Sequence, residues 1–374
     1  MKYFVIAGEA SGDLHASNLM KGIRKADQKA VFTAWGGDLM HNQGAEVLKH
    51  IRELAFMGFT EVLMNIGTIF RNLSLAKQHI LQHKPDALIL VDYPGFNMRI
   101  AKWAHSMGIR VFYYISPNVW AWKTNRVHHF KKYCEKLFVI LPFEKEFYNK
   151  FGIDVVYHGH PLVDAVEAHN PPGFNEFCST HNLSAKPIIA LLAGSRKQEI
   201  SKMLPHMLKL VDEFSEYQFV IAGAPAIERQ YYEKYISGSH VALIMNKTYD
   251  VLSCATAGIV VSGTATLEAA LFKMPQVVGY RAALISAIIA RMLMKVKFIS
   301  LVNLILQRQV VTELLQFRFN SQNLTIELQN ILPDTTRRSV LQQDYESLAK
   351  ILGESGASQR VGFDIVTRLQ HEIV

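Results

Sequence analysis

The sequence predicts an α/β fold of two successive doubly wound parallel-sheet domains, each Rossmann-like. Three observations carry this. Short apolar runs alternate with stretches of helical periodicity along nearly the whole chain. The runs are continuous rather than alternating, as strands covered by helices on both faces require. The pattern then restarts after HNPPGFNEF at 169–177, which separates two βαβ arrays. A chain of 374 residues, half of them apolar, is long enough to bury two cores.

In order, the first array places strands at KYFVIA (2–7), VFTAWG (31–36), ALILVD (87–92), RVFYYI (110–115), KLFVIL (136–141) and VVYHG (155–159). Amphipathic segments such as IAKWAHSMG (100–108) lie between them. The second array has strands at PIIALLAG (187–194), YQFVIAG (217–223), HVALIM (240–245), GIVVSG (258–263) and PQVVGY (275–280). The expected domains are 1–165 and 166–350, with helices beyond. No short repeat and no low-complexity segment is present.

Composition excludes several classes. Cys134, Cys178 and Cys254 are far apart and show no metal-ligand spacing, as expected of a reduced cytosolic protein without disulfides. Met1-Lys2 leads straight into a strand-like run, so no signal peptide is expected. No apolar stretch approaches the ~20 residues of a bilayer-spanning helix. The net charge of +8 is uneven: no acid lies between Asp92 and Glu135, or between Glu268 and Glu313. Most such Lys and Arg are solvated helix faces. Nucleic acid finds no supporting motif. Because Trp103, Trp120, Trp122, Phe298, Ile299 and Leu301 interleave with the cations, an anionic lipid surface or a phosphate-bearing substrate fits better.

Four loops at predicted strand ends carry candidate chemistry. GEASGD (8–13) has the strand–loop–helix order of a dinucleotide cradle, but its spacing is not G-x-G-x-x-G and Glu9 and Asp13 would repel a diphosphate. Asp13 reads best as a cap of the first helix. Asp92 ends a strand, where open α/β sheets bind ligands, whereas Asp86 begins the same strand at the wrong end. An Asp in such a place is also a common turn acceptor. In the second array the loop Gly194-Ser195-Arg196 is cationic. Ser195 suits a helix cap and Arg196 offers a planar fork for a diphosphate. Ser262-Gly263-Thr264 follows another strand, and Glu268, in the first turn beyond, is placed to accept from two ribose hydroxyls. Helix capping is the ordinary alternative for each. Two such loops in one domain point to a nucleotide diphosphate.

A longer set of segments resembles a known family. GEASGD, ELAFMGFTEVL, DYPGFN, YYISPNVWAWKTNRV, LPFEKEFY, GHP, LAGSRKQEI, SGTATLEAAL, VVGYR and ISLVNLILQRQVVTELLQ are similar, in order and over nearly the whole chain, to lipid-A-disaccharide synthases. The resemblance implies an inverting glycosyltransferase of GT-B type, its two domains facing across a cleft. It would join UDP-2,3-diacylglucosamine to 2,3-diacylglucosamine 1-phosphate and release UDP. The resemblance departs at Val302, where the family often has Pro, and at Leu306-Gln307-Arg308, where it has Ala-Gly-Arg.

On that resemblance the acidic loop belongs to the acceptor domain. Asp92 is the expected general base, with Glu9 the other catalytic candidate. Gly194, Ser195, Arg196, Ser262, Gly263, Thr264 and Glu268 would hold the nucleotide, completed by Asn303 and Arg308. No metal and no cofactor are expected, since Arg196 and loop N–H groups would stabilise departing UDP. The dense apolar stripe of Phe56, Met57, Phe59, Val62, Leu63, Ile66, Ile69 and Phe70 competes between ordinary core and an acyl-chain or membrane-facing patch. His158 and His160 are read as packing or hinge residues. The implied location is the cytosolic face of the inner membrane, peripherally, with no nucleic acid; the family includes a homodimer. Residues 351–374 are expected to pack back on the first domain. A UDP-sugar epimerase, or a module that binds UDP or lipid without turnover, are the rival functions.

Overall fold

A computed structural model describes residues 1–54, 66–122, 124–281 and 297–371. The chain divides into two compact units, Met1–Asp164 with Glu354–Val374, and Ala165–Gly353. Among the described residues no helix is long and apolar enough to cross a membrane.

The first unit is built on a seven-stranded sheet: β1 (Lys2–Ala7), β2 (Val31–Gly36), β3 (Glu46–His50), β4 (Ala87–Val91), β5 (Val111–Tyr114), β6 (Lys136–Val139) and β7 (Val156–Tyr157). The order is β3-β2-β1-β4-β5-β6-β7, and every pairing is parallel. Side chains alternate across the sheet, and both faces are covered. Phe4, Ile6, Leu88, Leu90 and Tyr113 join Trp35 in one core. Tyr3, Val5, Ile89, Val91, Phe112 and Tyr114 join the opposite one. That two-sided burial is why these strands read as unbroken apolar runs.

The second core is closed by a helix from the far end of the sequence. Val361, Ile365, Val366 and Leu369 of the helix Ala357–His371 pack with Ala16, Leu19 and Ile23 of the helix Ala10–Ala26. The two backbones approach unusually closely. A Cβ on Gly22 would lie 2.7 Å from the Gln359 Cα, and one on Gly362 would lie 2.5 Å from the Ile23 nitrogen. Asp164 fastens the start of that helix, its carboxylate accepting from the N–H groups of Gly356, Ala357 and Ser358 at 2.6–3.1 Å.

The second unit carries β8 (Ile188–Leu192), β9 (Gln218–Gly223), β10 (Ala242–Met245), β11 (Ala255–Val261), β12 (Gln276–Tyr280) and β13 (Glu313–Leu315). They run in the order β10-β9-β8-β11-β12-β13, again all parallel. Ile188, Ala190, Leu192, Val220 and Val260 form a core on one face, while Ile189, Leu191, Ile221 and Ile259 are equally buried.

Candidate functional site

Each sheet reverses its strand order once. In the first unit this happens between β1 and β4, in the second between β8 and β11. The crevice beyond the carboxyl ends of such a strand pair is where open α/β sheets bind ligands. The loops singled out in the sequence leave the sheets at these two places.

In the first unit Ala7 pairs with Val91, so the Gly8-Glu9 and Asp92-Tyr93 turns emerge side by side. Asp92 (φ +45°) and Tyr93 (φ +48°) are both left-handed, a conformation that L-residues with a Cβ adopt at a cost. The surroundings hold it in place. The Asp92 carbonyl accepts from the Tyr113 hydroxyl at 2.6 Å and from the Asn97 side-chain amide at 2.9 Å. Asn97, fully buried, also donates to the Val91 carbonyl at 3.2 Å. Burial pushes the Asp92 carboxyl up to about 7; the negative charge of Glu9 pushes the same way, and the Tyr93 N–H pulls back. Glu9 stands at the N-terminus of the helix Ala10–Ala26 without a side-chain cap bond, where the helix dipole favours negative charge. A carboxyl that titrates near neutrality at a sheet's ligand-binding edge can accept a proton from a bound hydroxyl.

Asp13 has a different partner from the one its sequence position suggested. Its carboxylate accepts from Gly37, Leu39 and Met40 at 2.8–3.2 Å. It caps the helix Asp38–Asn42, not its own. Asp86 sits at the opposite end of β4, accepting from the Lys2 N–H at 2.7 Å.

In the second unit Leu192 pairs with Val260, so residues 194–196 and 262–264 leave the sheet together. Gly194 has φ +116°, and a Cβ there would meet Glu199 at 2.6 Å. Ser195 does not cap the next helix. Arg196 takes the cap position of Lys197–Leu208 without a side-chain cap bond, and the Glu199 carboxylate turns back to the loop. It accepts from the Ser195 N–H at 3.0 Å and from Arg196 at 3.2 Å. A carboxylate thus holds the N–H and guanidinium expected to meet a phosphate. Sequence reasoning missed this residue, although LAGSRKQEI contains it.

The neighbouring loop is tied as well. The Ser262 hydroxyl donates to the Ile299 carbonyl at 2.9 Å, and Thr264 precedes the helix Ala265–Leu271. Gly263, between them, is exposed. Glu268 accepts from the Tyr249 hydroxyl at 2.9 Å, and burial raises its pKa against the pull of that bond.

Asn303 and Arg308 are engaged within the fold. Asn303 is fully buried; its amide accepts from Val310 and Val311 and donates to the Val311 carbonyl and to Glu313 at 2.7–2.9 Å. Glu313, also missed in the sequence, further accepts from the N–H groups of Ile299 and Ser300. The pair shapes the segment that Ser262 holds. Arg308 is paired with Asp344.

Of the apolar stripe, Phe56, Met57, Phe59, Val62 and Leu63 lie outside the described residues, as does the Ile66 side chain. Ile69 packs against the first core, and Phe70 is 62% exposed. His158 bonds Asp364 at 3.2 Å. His160 is buried and accepts from the Leu162 N–H at 3.1 Å. Among the described residues no three His, Cys, Asp or Glu converge to hold a metal ion.

Comparison with known proteins gives this arrangement a family. The fold is shared with a UDP-GlcNAc 2-epimerase from Neisseria meningitidis solved with UDP-GlcNAc. That match has a TM-score of 0.65 at 14% identity, over 98% of this chain and 100% of that one. Solved glycosyltransferases share the fold too. Sequence is more discriminating. The lipid-A-disaccharide synthase of Myxococcus xanthus is 38% identical over 98% of this chain and 97% of its own length. That of Syntrophus aciditrophicus is 36% identical over the same shares. The family model for lipid-A-disaccharide synthetase matches residues 3–362. The chain therefore belongs to the lipid-A-disaccharide synthase family, glycosyltransferases of lipid A biosynthesis.

Proposed function

We propose that the protein condenses UDP-2,3-diacylglucosamine with 2,3-diacylglucosamine 1-phosphate, giving the lipid A disaccharide 1-phosphate and UDP, with Asp92 as general base. The observation that carries this is Asp92 itself, poised near neutral pH at the switch point of the first unit. Asp92 takes the proton of the acceptor 6-hydroxyl as that oxygen attacks C1 of the donor sugar. The C1–O bond to UDP breaks on the opposite side, and the anomeric configuration inverts. Burial, with the neighbouring carboxylate Glu9 adding to it, keeps the Asp92 pKa high enough for this exchange.

The loops of the second unit bind UDP. Arg196 and the N–H groups of residues 194–196 and 262–264 stabilise the diphosphate, and Glu268 receives the ribose hydroxyls. The shared fold with a UDP-GlcNAc-bound epimerase supports a UDP-sugar as the ligand. The reaction needs no metal on this reading, and the enzyme works peripherally at the cytosolic face of the inner membrane.

A two-substrate assay with the product identified by mass spectrometry tests the proposal. Disaccharide and UDP should form together, and EDTA should leave the rate unchanged. Epimer formed from the UDP-sugar alone, or a requirement for Mg²⁺ or Mn²⁺, would count against it.

A further inference from the structure

A second carboxyl is buried beneath the same edge of the first sheet, and the proposed chemistry does not use it. Glu144 lies in the first turn of the helix Pro142–Asn149, just beyond β6, and is fully buried. One oxygen accepts from the N–H groups of Ile140 and Leu141 at 3.1 and 2.9 Å. The other is buried with no hydrogen-bond partner, and so is the indole nitrogen of Trp120. Trp120 and Ser116 are the side chains that bear on this carboxyl, drawing its pKa back down while burial raises it to about 7. Both belong to the segment that follows β5.

That segment is held at a cost. Ile115, β-branched, has φ +68°, a backbone state such residues avoid. Ser116 pairs its hydroxyl with that of Tyr148, on the Glu144 helix. The Trp120 ring stands edge-on to Phe143, with centroids 5.0 Å apart and planes at 89°. A buried carboxyl without a cation and a strained Ile both disfavour folding. Such features persist where they fix a shape that function needs. The location agrees: β5 pairs with β4, and the Asp92 N–H donates to the Tyr114 carbonyl at 3.0 Å. The segment therefore starts one residue from the partner of the proposed base.

We propose that Glu144 is a positioning residue that fixes the segment Ile115–Ala121, so that Trp120 forms a wall of the acceptor site beside Asp92. This rests on the reading that the acceptor binds at the Asp92 turn. Glu144 touches no substrate; it acts on the Trp120 indole by its charge and on Ser116 through Tyr148 of its own helix. Trp120 gives the acceptor an apolar face.

A double-mutant cycle with Glu144→Gln and Trp120→Phe tests it. Gln keeps one oxygen for the Ile140 and Leu141 N–H groups, so the melting temperature should stay near wild type. Its amide nitrogen opposes the indole N–H. The acceptor KM should therefore rise about tenfold, the scale of setting two buried donors against each other, while the donor KM and UDP affinity hold. In the Trp120→Phe background, Glu144→Gln should add nothing. An unchanged acceptor KM overturns the proposal, as does an equal effect of Glu144→Gln in both backgrounds. A loss spread over both substrates with a lowered melting temperature makes Glu144 a plain folding residue and overturns it too. Acceptor binding measured without donor separates this from the catalytic reading. Wild-type protein that binds the acceptor but makes no product defeats the chemistry and leaves the cycle readable.

Discussion

The two units put opposite chemistry at the same topological address. At the reversal of the first sheet stand Glu9 and Asp92; at that of the second stand Arg196 and a set of hydroxyls. Both sheets are parallel and two-sided, and both present strand ends and helix N-termini there. The architecture therefore selects where a ligand goes, and the residues select which ligand. Acid raises its own proton affinity and suits a hydroxyl that must lose a proton. A cationic loop suits a leaving diphosphate. The first unit also holds its site by strain, with consecutive left-handed residues clamped by Tyr113 and Asn97. In the second, the Glu199 carboxylate of the following helix holds the loop.

The comparison breaks most sharply at Asp92. Asp92→Asn keeps the side chain's shape and removes its proton-accepting charge. It should lower kcat by about 10²–10⁴-fold with UDP affinity unchanged, as steady-state kinetics and calorimetry will show. Asp86→Asn, at the far end of β4, should be nearly silent. A variant that stays folded and active would move the base to Glu9.

The second unit should respond the other way. Arg196→Ala and Glu268→Ala should each weaken UDP binding by about 1.5–3 kcal/mol, one charge-assisted contact, with the acceptor KM unchanged. Equal UDP affinity in both variants by calorimetry would remove these residues from the donor site.

The pH dependence should separate the units further. The Asp92 carboxyl must be ionised to accept a proton, so the chemical step should fall about tenfold per pH unit below about 7. UDP binding should not follow that limb. A rate that is flat down to pH 5 would exclude a base with this pKa.

A further effect is on stability. His15 and His160, both buried in the first unit, are held neutral, with pKa values lowered by burial to about 4 and about 3. Their folded pKa values lie below the unfolded one. The stability they contribute is thus present above about 6.5 and lost as pH falls below it. Each should cost the first unit on the order of 2 kcal/mol between pH 7.5 and 5, measured by denaturant titration. His160→Gln should flatten that slope.

The fold was legible because most strands are buried on both faces and read as apolar runs. The two strands not anticipated, β3 and β13, lie at sheet edges. Glu46-Val47-Leu48-Lys49-His50 is largely polar, and Glu313-Leu314-Leu315 is only three residues long. Edge strands face solvent, so the apolar signal weakens where the sheet ends. Candidate loops were legible as strand ends with unusual residues. Their partners were not. Asp13 finds its N–H groups 24 to 27 residues away, and Asn303 meets Glu313 only because a loop folds back. Glu144 went unremarked within LPFEKEFY, since nothing local announces that its carboxyl is buried.

One contact reaches beyond catalysis. The Gly22–Gly362 approach joins the first helix to one made only after the entire second unit has been translated. A nascent chain emerging from the ribosome can therefore complete its second domain before its first. Until then, Ala16, Leu19 and Ile23 remain uncovered on the side that Val361 and Ile365 will occupy. Any substitution that enlarges Gly22 or Gly362 should act on biogenesis more than on turnover, leaving an aggregation-prone early half. Synthesis runs from one end to the other, but assembly of this protein closes where it began.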